Sequence, residues 1–71
     1  MIVARFYRKD LVTGEDTIEV DFSVIYPSTL TDMHEQAVAN GLRRPNVTAY
    51  QIWEGNTLSK MTAVGLRHSL R

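Results

Sequence analysis

Apolar and polar residues alternate most clearly from Thr17 to Tyr26. Ile18, Val20, Phe22, Val24 and Tyr26 fall on one side, Thr17, Glu19, Asp21 and Ser23 fall on the other, and only Ile25 breaks the pattern. Strand side chains alternate between faces with period two, so this stretch predicts a strand whose dry face carries the first set. One dry and one wet face suit an antiparallel sheet covered on one side. Ile2 to Arg8 predicts an earlier strand, with Ile2, Ala4 and Phe6 opposed to Val3, Arg5 and Tyr7. Thr13-Gly14 between the two predicts a hairpin turn, because glycine takes positive backbone angles cheaply.

Pro27-Ser28 ends the second strand, and the period then changes. Leu30, Met33, His34, Ala37, Val38 and Gly41 recur at helical spacing. Thr29 with Asp32 matches a capping box at the start, and Asn40-Gly41 offers a left-handed stop, which predicts a helix of about three turns. Strand character returns from Val47 to Glu54, Gly55-Asn56 reads as a turn, and Leu58 to Leu66 predicts the last strand. In that strand Gly65 suggests a bulge or close approach.

The expectation is a single α+β domain over residues 1–71, ordered β-β-α-β-β. One helix packs on one face of a four-stranded, mainly antiparallel sheet, which buries both dry faces. The order resembles a β-grasp layout, in which the helix crosses the sheet after an N-terminal hairpin. The tail, residues 67–71, is expected to fray.

With 71 residues and no cysteine, the chain buries only about 60% of its unfolded surface and has no disulfide to supplement its core. Burial of a second surface, by self-association or on a partner, would suit a domain this small. The missing cysteines also remove thiol nucleophiles, zinc ribbons and iron–sulfur ligation. No run approaches the about 18 apolar residues of a membrane span, and Met1-Ile2-Val3-Ala4-Arg5 lacks a signal-peptide pattern. These features point to a cytoplasmic setting without membrane association, which makes the Asn46-Val47-Thr48 glycosylation pattern a chance match. Eight basic and eight acidic residues cancel to zero, whereas nucleic-acid binders usually carry net positive charge or a basic face.

Catalytic arrangements are weak. Asp32 and Glu35 flank His34, but neighbours so close on a helix do not face one another. His68 and Ser69 lie in the tail, which supplies no rigid base or orienting group. Glu19 and Asp21 share a strand face about 7 Å apart, yet acid–base work would need a cleft that shifts one pKa. On a wet face they pair more simply with Arg5 or Arg8 across the ladder. No metal-ligand spacing, phosphate loop or cofactor motif is present.

Surface contacts are the better reading. Arg43-Arg44 follows the helix, where positive charge favours the carbonyl end of the dipole. Arg67-His68 and Arg71 form a second basic cluster, and Tyr7, Tyr50 and Trp53 supply aromatics. Tyr50 and Trp53 fall on opposite faces of their strand, which leaves at least one exposed or half-buried. Trp, Tyr and Arg dominate interface energetics, so Arg43, Arg44, Tyr50, Trp53 and Arg67 are the expected partner-binding residues. An exposed edge strand would also suit docking by strand addition.

The functional expectation is a non-enzymatic binding protein acting on a larger protein or protein complex, of the kind that phages and mobile elements use as inhibitors of host machinery. Two alternatives stand beside it: a small nucleic-acid-binding regulator using the same arginines and aromatics, and an accessory subunit of a larger assembly.

Overall fold

The computed structural model describes residues 1–55 and, for the backbone, 57–58 and 68–69. Strand β1 (Ile2–Arg8) lies between β2 (Ile18–Ile25) and β3 (Ala49–Glu54) and is antiparallel to both. Strands β2 and β3 are therefore parallel to each other. Helix α1 (Leu30–Leu42) connects them, forming a split βαβ unit with β1 inserted. Two short pairings line the outer edge of β3: β4 (Thr57–Leu58) against Trp53 and Glu54, and β5 (His68–Ser69) against Ala49 and Tyr50. The rest of the expected strand from Leu58 to Leu66 lies outside the described residues.

The turn chemistry follows the sequence. Gly14 has φ +75° and its N–H donates to the Asp10 carbonyl at 2.7 Å. Gly55, with φ +61°, turns the chain after β3. Thr29 Oγ1 accepts from the Asp32 N–H at 3.0 Å, which satisfies one open donor of the first helical turn. Asp32 Oδ2 instead reaches back to the N–H of Ser28, also at 3.0 Å.

The helix stop differs from expectation. Gly41 is inside α1 and buried, in one row with Met33 and Ala37 against the sheet. The chain leaves α1 through Arg43 in right-handed backbone, and the left-handed residue is Asn46, φ 65°. The four-residue spacing of Met33, Ala37 and Gly41 places a narrowing set of side chains on the sheet-facing row, so Gly41 serves packing rather than termination.

Register sorts the sheet into two faces. On the helix-covered face Phe6 lies between Asp21 and Tyr50, Ala4 between Ser23 and Ile52, and Ile2 opposite Ile25. Ala4, Phe6, Ile25, Met33, Ala37, Tyr50 and Ile52 form one buried cluster, with Ile2, Val38 and Val47 packed against it. On the second face Val3 lies between Val24 and Trp53, Arg5 between Phe22 and Gln51, and Tyr7 between Glu19 and Ala49.

This arrangement reverses the expected dry face of β2. Ile25, the residue that broke the alternation, is buried at 2% exposure, whereas Phe22 is 60%, Val20 44% and Tyr26 85% exposed. Alternation identifies two faces but not which one the helix covers. Here α1 lies over the face carrying Asp21, Ser23 and Ile25. Ladder register also shifts between Phe6 and Tyr7, leaving Val20 as an extra residue on β2. Such a bulge locally re-aims side chains.

Candidate interaction face

The bulge separates the two carboxylates that sequence spacing had put on one face. Glu19 stands opposite Tyr7 on the second face, where its Oε1 lies 3.8 Å from Arg5 Nη1. Asp21 stands opposite Phe6 on the helix-covered face and accepts from Arg44 Nε at 2.6 Å. They therefore do not form an acid–base pair. The Arg44 hydrogen bond, followed by the backbone N–H of Phe22, holds the Asp21 carboxyl below its usual range. Among the described residues no group of three His, Cys, Asp or Glu is placed to hold a metal ion.

The expected contact residues are dispersed. Arg44 donates through Nη1 to the Asn40 carbonyl at 2.6 Å, and its guanidinium carbon lies 4.7 Å from the centre of the Phe6 ring. Together with the Asp21 bond, these contacts tie the end of α1 to β2 and the core. Tyr50 is buried beneath α1, where Oη and His34 Nδ1 lie 2.7 Å apart and the rings meet edge to face. Burial raises the Tyr50 phenol above its ordinary range. Arg43 is exposed at the C-cap. Trp53 is half-buried on the opposite side of the sheet from Tyr50. Arg67 lies outside the described residues.

Around Trp53 the structure assembles a different group. The Arg5 guanidinium stacks on the indole, its carbon 4.1 Å from the ring centre. Cation–π contacts of this kind contribute about 0.5–1 kcal/mol at exposed sites. Beside Arg5 stands Phe22, and beyond it Val3 and Val24 are half-buried. Beneath the group lies Gln51, only 5% exposed. Its Oε1 accepts from Tyr7 Oη at 2.8 Å and from Trp53 Nε1 at 3.2 Å. Because indole N–H is only a donor, this fixes which end of the amide is oxygen. The Gln51 Nε2 donors are left without a partner among the described residues. The result is an apolar and aromatic patch carrying one cation, one anion and one buried amide whose Nε2 has no acceptor among the described residues.

Of the residues in this patch, the sequence reading proposes Trp53 as a contact residue and does not propose Phe22, Val24, Val3, Arg5 or Gln51. Phe22 and Val24 were assigned to the core by the same alternation that revealed the strand. The available signal was the break at Ile25, which showed that the other face also had an apolar claim.

The outer edge of β2 is partly closed by side chains. The N–H of Phe22 donates to Asp21 Oδ1 at 2.8 Å. Just past the end of β2, at Tyr26, the amide of Gln36 takes both backbone groups, with Oε1 accepting from N–H at 3.1 Å and Nε2 donating to the carbonyl at 3.2 Å. Occupying edge groups is one way proteins blunt edge pairing.

No helix in the described residues is long and apolar enough to cross a membrane. No family model, curated protein or solved structure matches the chain.

Proposed function

We propose that the chain is a non-enzymatic binding protein whose contact surface is the second face of the sheet, centred on Phe22, Trp53 and Arg5. The observation supporting this reading is the 60% exposure of Phe22 beside an Arg5–Trp53 stack. Exposed aromatic and arginine side chains in one patch are the composition of an interface centre. The Phe22 N–H taken up by Asp21, and the Tyr26 backbone taken up by Gln36 just past β2, favour docking on the face over docking by strand addition. The partner is a protein or protein complex, and inhibition of host machinery by a phage- or mobile-element-type accessory protein is the specific form such binding would take. A cytoplasmic location belongs to the same proposal.

Nucleic-acid binding is the second reading, favoured by one feature: Trp53 and Phe22 share a sheet face with Arg5, as stacking platforms require. Glu19 on that face and the zero net charge oppose it. Capture from lysate of the native source, with and without nuclease, separates the two. A stoichiometric protein complex that survives nuclease supports the first reading, and loss of every partner after nuclease supports the second. Salt adds a further distinction, because phosphate contacts make affinity fall steeply with ionic strength.

A further inference from the structure

The outer row of α1 is unlike an ordinary water-facing helix surface. Thr31, Glu35, Ala39 and Arg43 recur every four residues, all exposed, on the side away from the buried row of Met33, Ala37 and Gly41. Residues at this spacing are neighbours on one helix face. Leu42 stands beside Ala39 at 67% exposure, and half-buried Val38 completes a shallow apolar groove with them. Helix faces turned to solvent are ordinarily polar or charged. Here a methyl group flanked by aliphatic side chains holds the middle of the face, and the charges stand to either side of it. Those charges are opposite and unpaired. Glu35 and Arg43 are eight residues apart, about 12 Å along the axis, too far to reach each other. Neither side chain has a hydrogen bond or ion pair among the described residues. From Glu35 to Arg43 the row runs negative, small, positive, with Ala39 midway, so it is complementary to a reversed copy of itself.

We infer that α1 is the contact between two copies of the chain, whose helices run in opposite directions and cross at Ala39, so that Glu35 of each copy meets Arg43 of the other. Interdigitation of such four-residue rows is the commonest class of helix packing, with axes about 8–10 Å apart and crossing at about −50°. Ala39 at the crossing point permits the close end of that range. A two-fold axis makes every contact occur twice, so both ion pairs form together, and Leu42 and Val38 of each copy cover apolar surface beside them. The helix has 13 residues and is about 20 Å long. A contact confined to it is smaller than the standard interface of about 800 Å² per partner, so the dimer is a weak one that forms at high concentration. Phe22 lies on the far side of the sheet from α1 and stays exposed in the dimer. The inference therefore does not depend on the proposed contact face, and either can fail alone.

The test is sedimentation velocity of the whole chain across a micromolar-to-millimolar series, with folding of each variant checked by circular dichroism. The wild type is expected to pass from monomer to dimer as concentration rises. Glu35→Arg and Arg43→Glu each put like charges opposite one another twice. Each alone should weaken the dimer at least about tenfold, a change corresponding to ~1.4 kcal/mol. An equimolar mixture of the two should associate as the wild type does, because each variant then meets its opposite. Ala39→Gln, which alters no charge and keeps a good helix former but fills the crossing point, should weaken the dimer similarly. Phe22→Glu should leave it unchanged. A wild type that stays monomeric across the series overturns the inference. So does a dimer that withstands either charge reversal or Ala39→Gln, a mixture of folded variants that fails to associate, or a dimer lost in Phe22→Glu.

Discussion

Arg44 shows how one side chain can be drawn from a presumed surface into the framework. Its bonds to Asp21 and the Asn40 carbonyl, and its position over Phe6, connect strand, helix and core. The pH consequence follows from the sign of the Asp21 shift. A carboxyl held below its unfolded value contributes stability above that unfolded value and loses it as pH falls through the folded one. Urea midpoints should therefore fall on acidification through and below the ordinary carboxylate range, and Asp21→Asn should flatten part of that fall. Equal acid sensitivity in wild type and Asp21→Asn would show that the bond contributes nothing measurable.

At the scale of elements, β2 carries most of what the sequence obscured. The N–H of Phe22 within it is held by Asp21 and the backbone of Tyr26 just past its end by Gln36, while Val20 and Phe22 are exposed. Removing both blocks with Asp21→Ala and Gln36→Ala leaves an apolar edge open to pairing, which is an aggregation hazard. The double variant should bind thioflavin T within an incubation that leaves the wild type clear. If the two behave alike, the side chains do not guard the edge.

The hairpin, the helix cap and the positive-φ glycines were legible because local chemistry dictates them. Gly14 and Thr29 act within a few residues of themselves. Which face of β2 is dry was not legible, since it depends on where α1 lands and on a bulge at Val20. Alternation is unchanged by exchange of the faces. The bulge then removed the apparent Glu19–Asp21 pair, and the position of α1 decided that Tyr50, rather than Trp53, is the aromatic it buries. Of the surface expected from sequence, Trp53 remains in the patch, and the other described members lie elsewhere.

For the whole molecule the limiting quantity is core size. Phe6, Met33 and Ile52 are the largest fully buried side chains among the described residues. Deleting a phenyl ring from such a position costs about 3–5 kcal/mol, and domains this small rarely hold more than about 3–5 kcal/mol from their core. Phe6→Ala should therefore be largely unfolded at room temperature by circular dichroism. A cooperative, native-like melt for that variant would mean that stability comes from elsewhere.

The same shortage of core gives meaning to Phe22, because a domain this small that leaves such a side chain 60% exposed forgoes the stability its burial would contribute. The measurement that tests this most directly is nuclease-treated capture with three folded baits: wild type, Phe22→Glu, and Arg43→Glu on the exposed helix cap. Loss of the partner with Phe22→Glu, and its retention with Arg43→Glu, is the predicted result. Retention by Phe22→Glu together with loss by Arg43→Glu would contradict the account and move the contact surface to the end of α1.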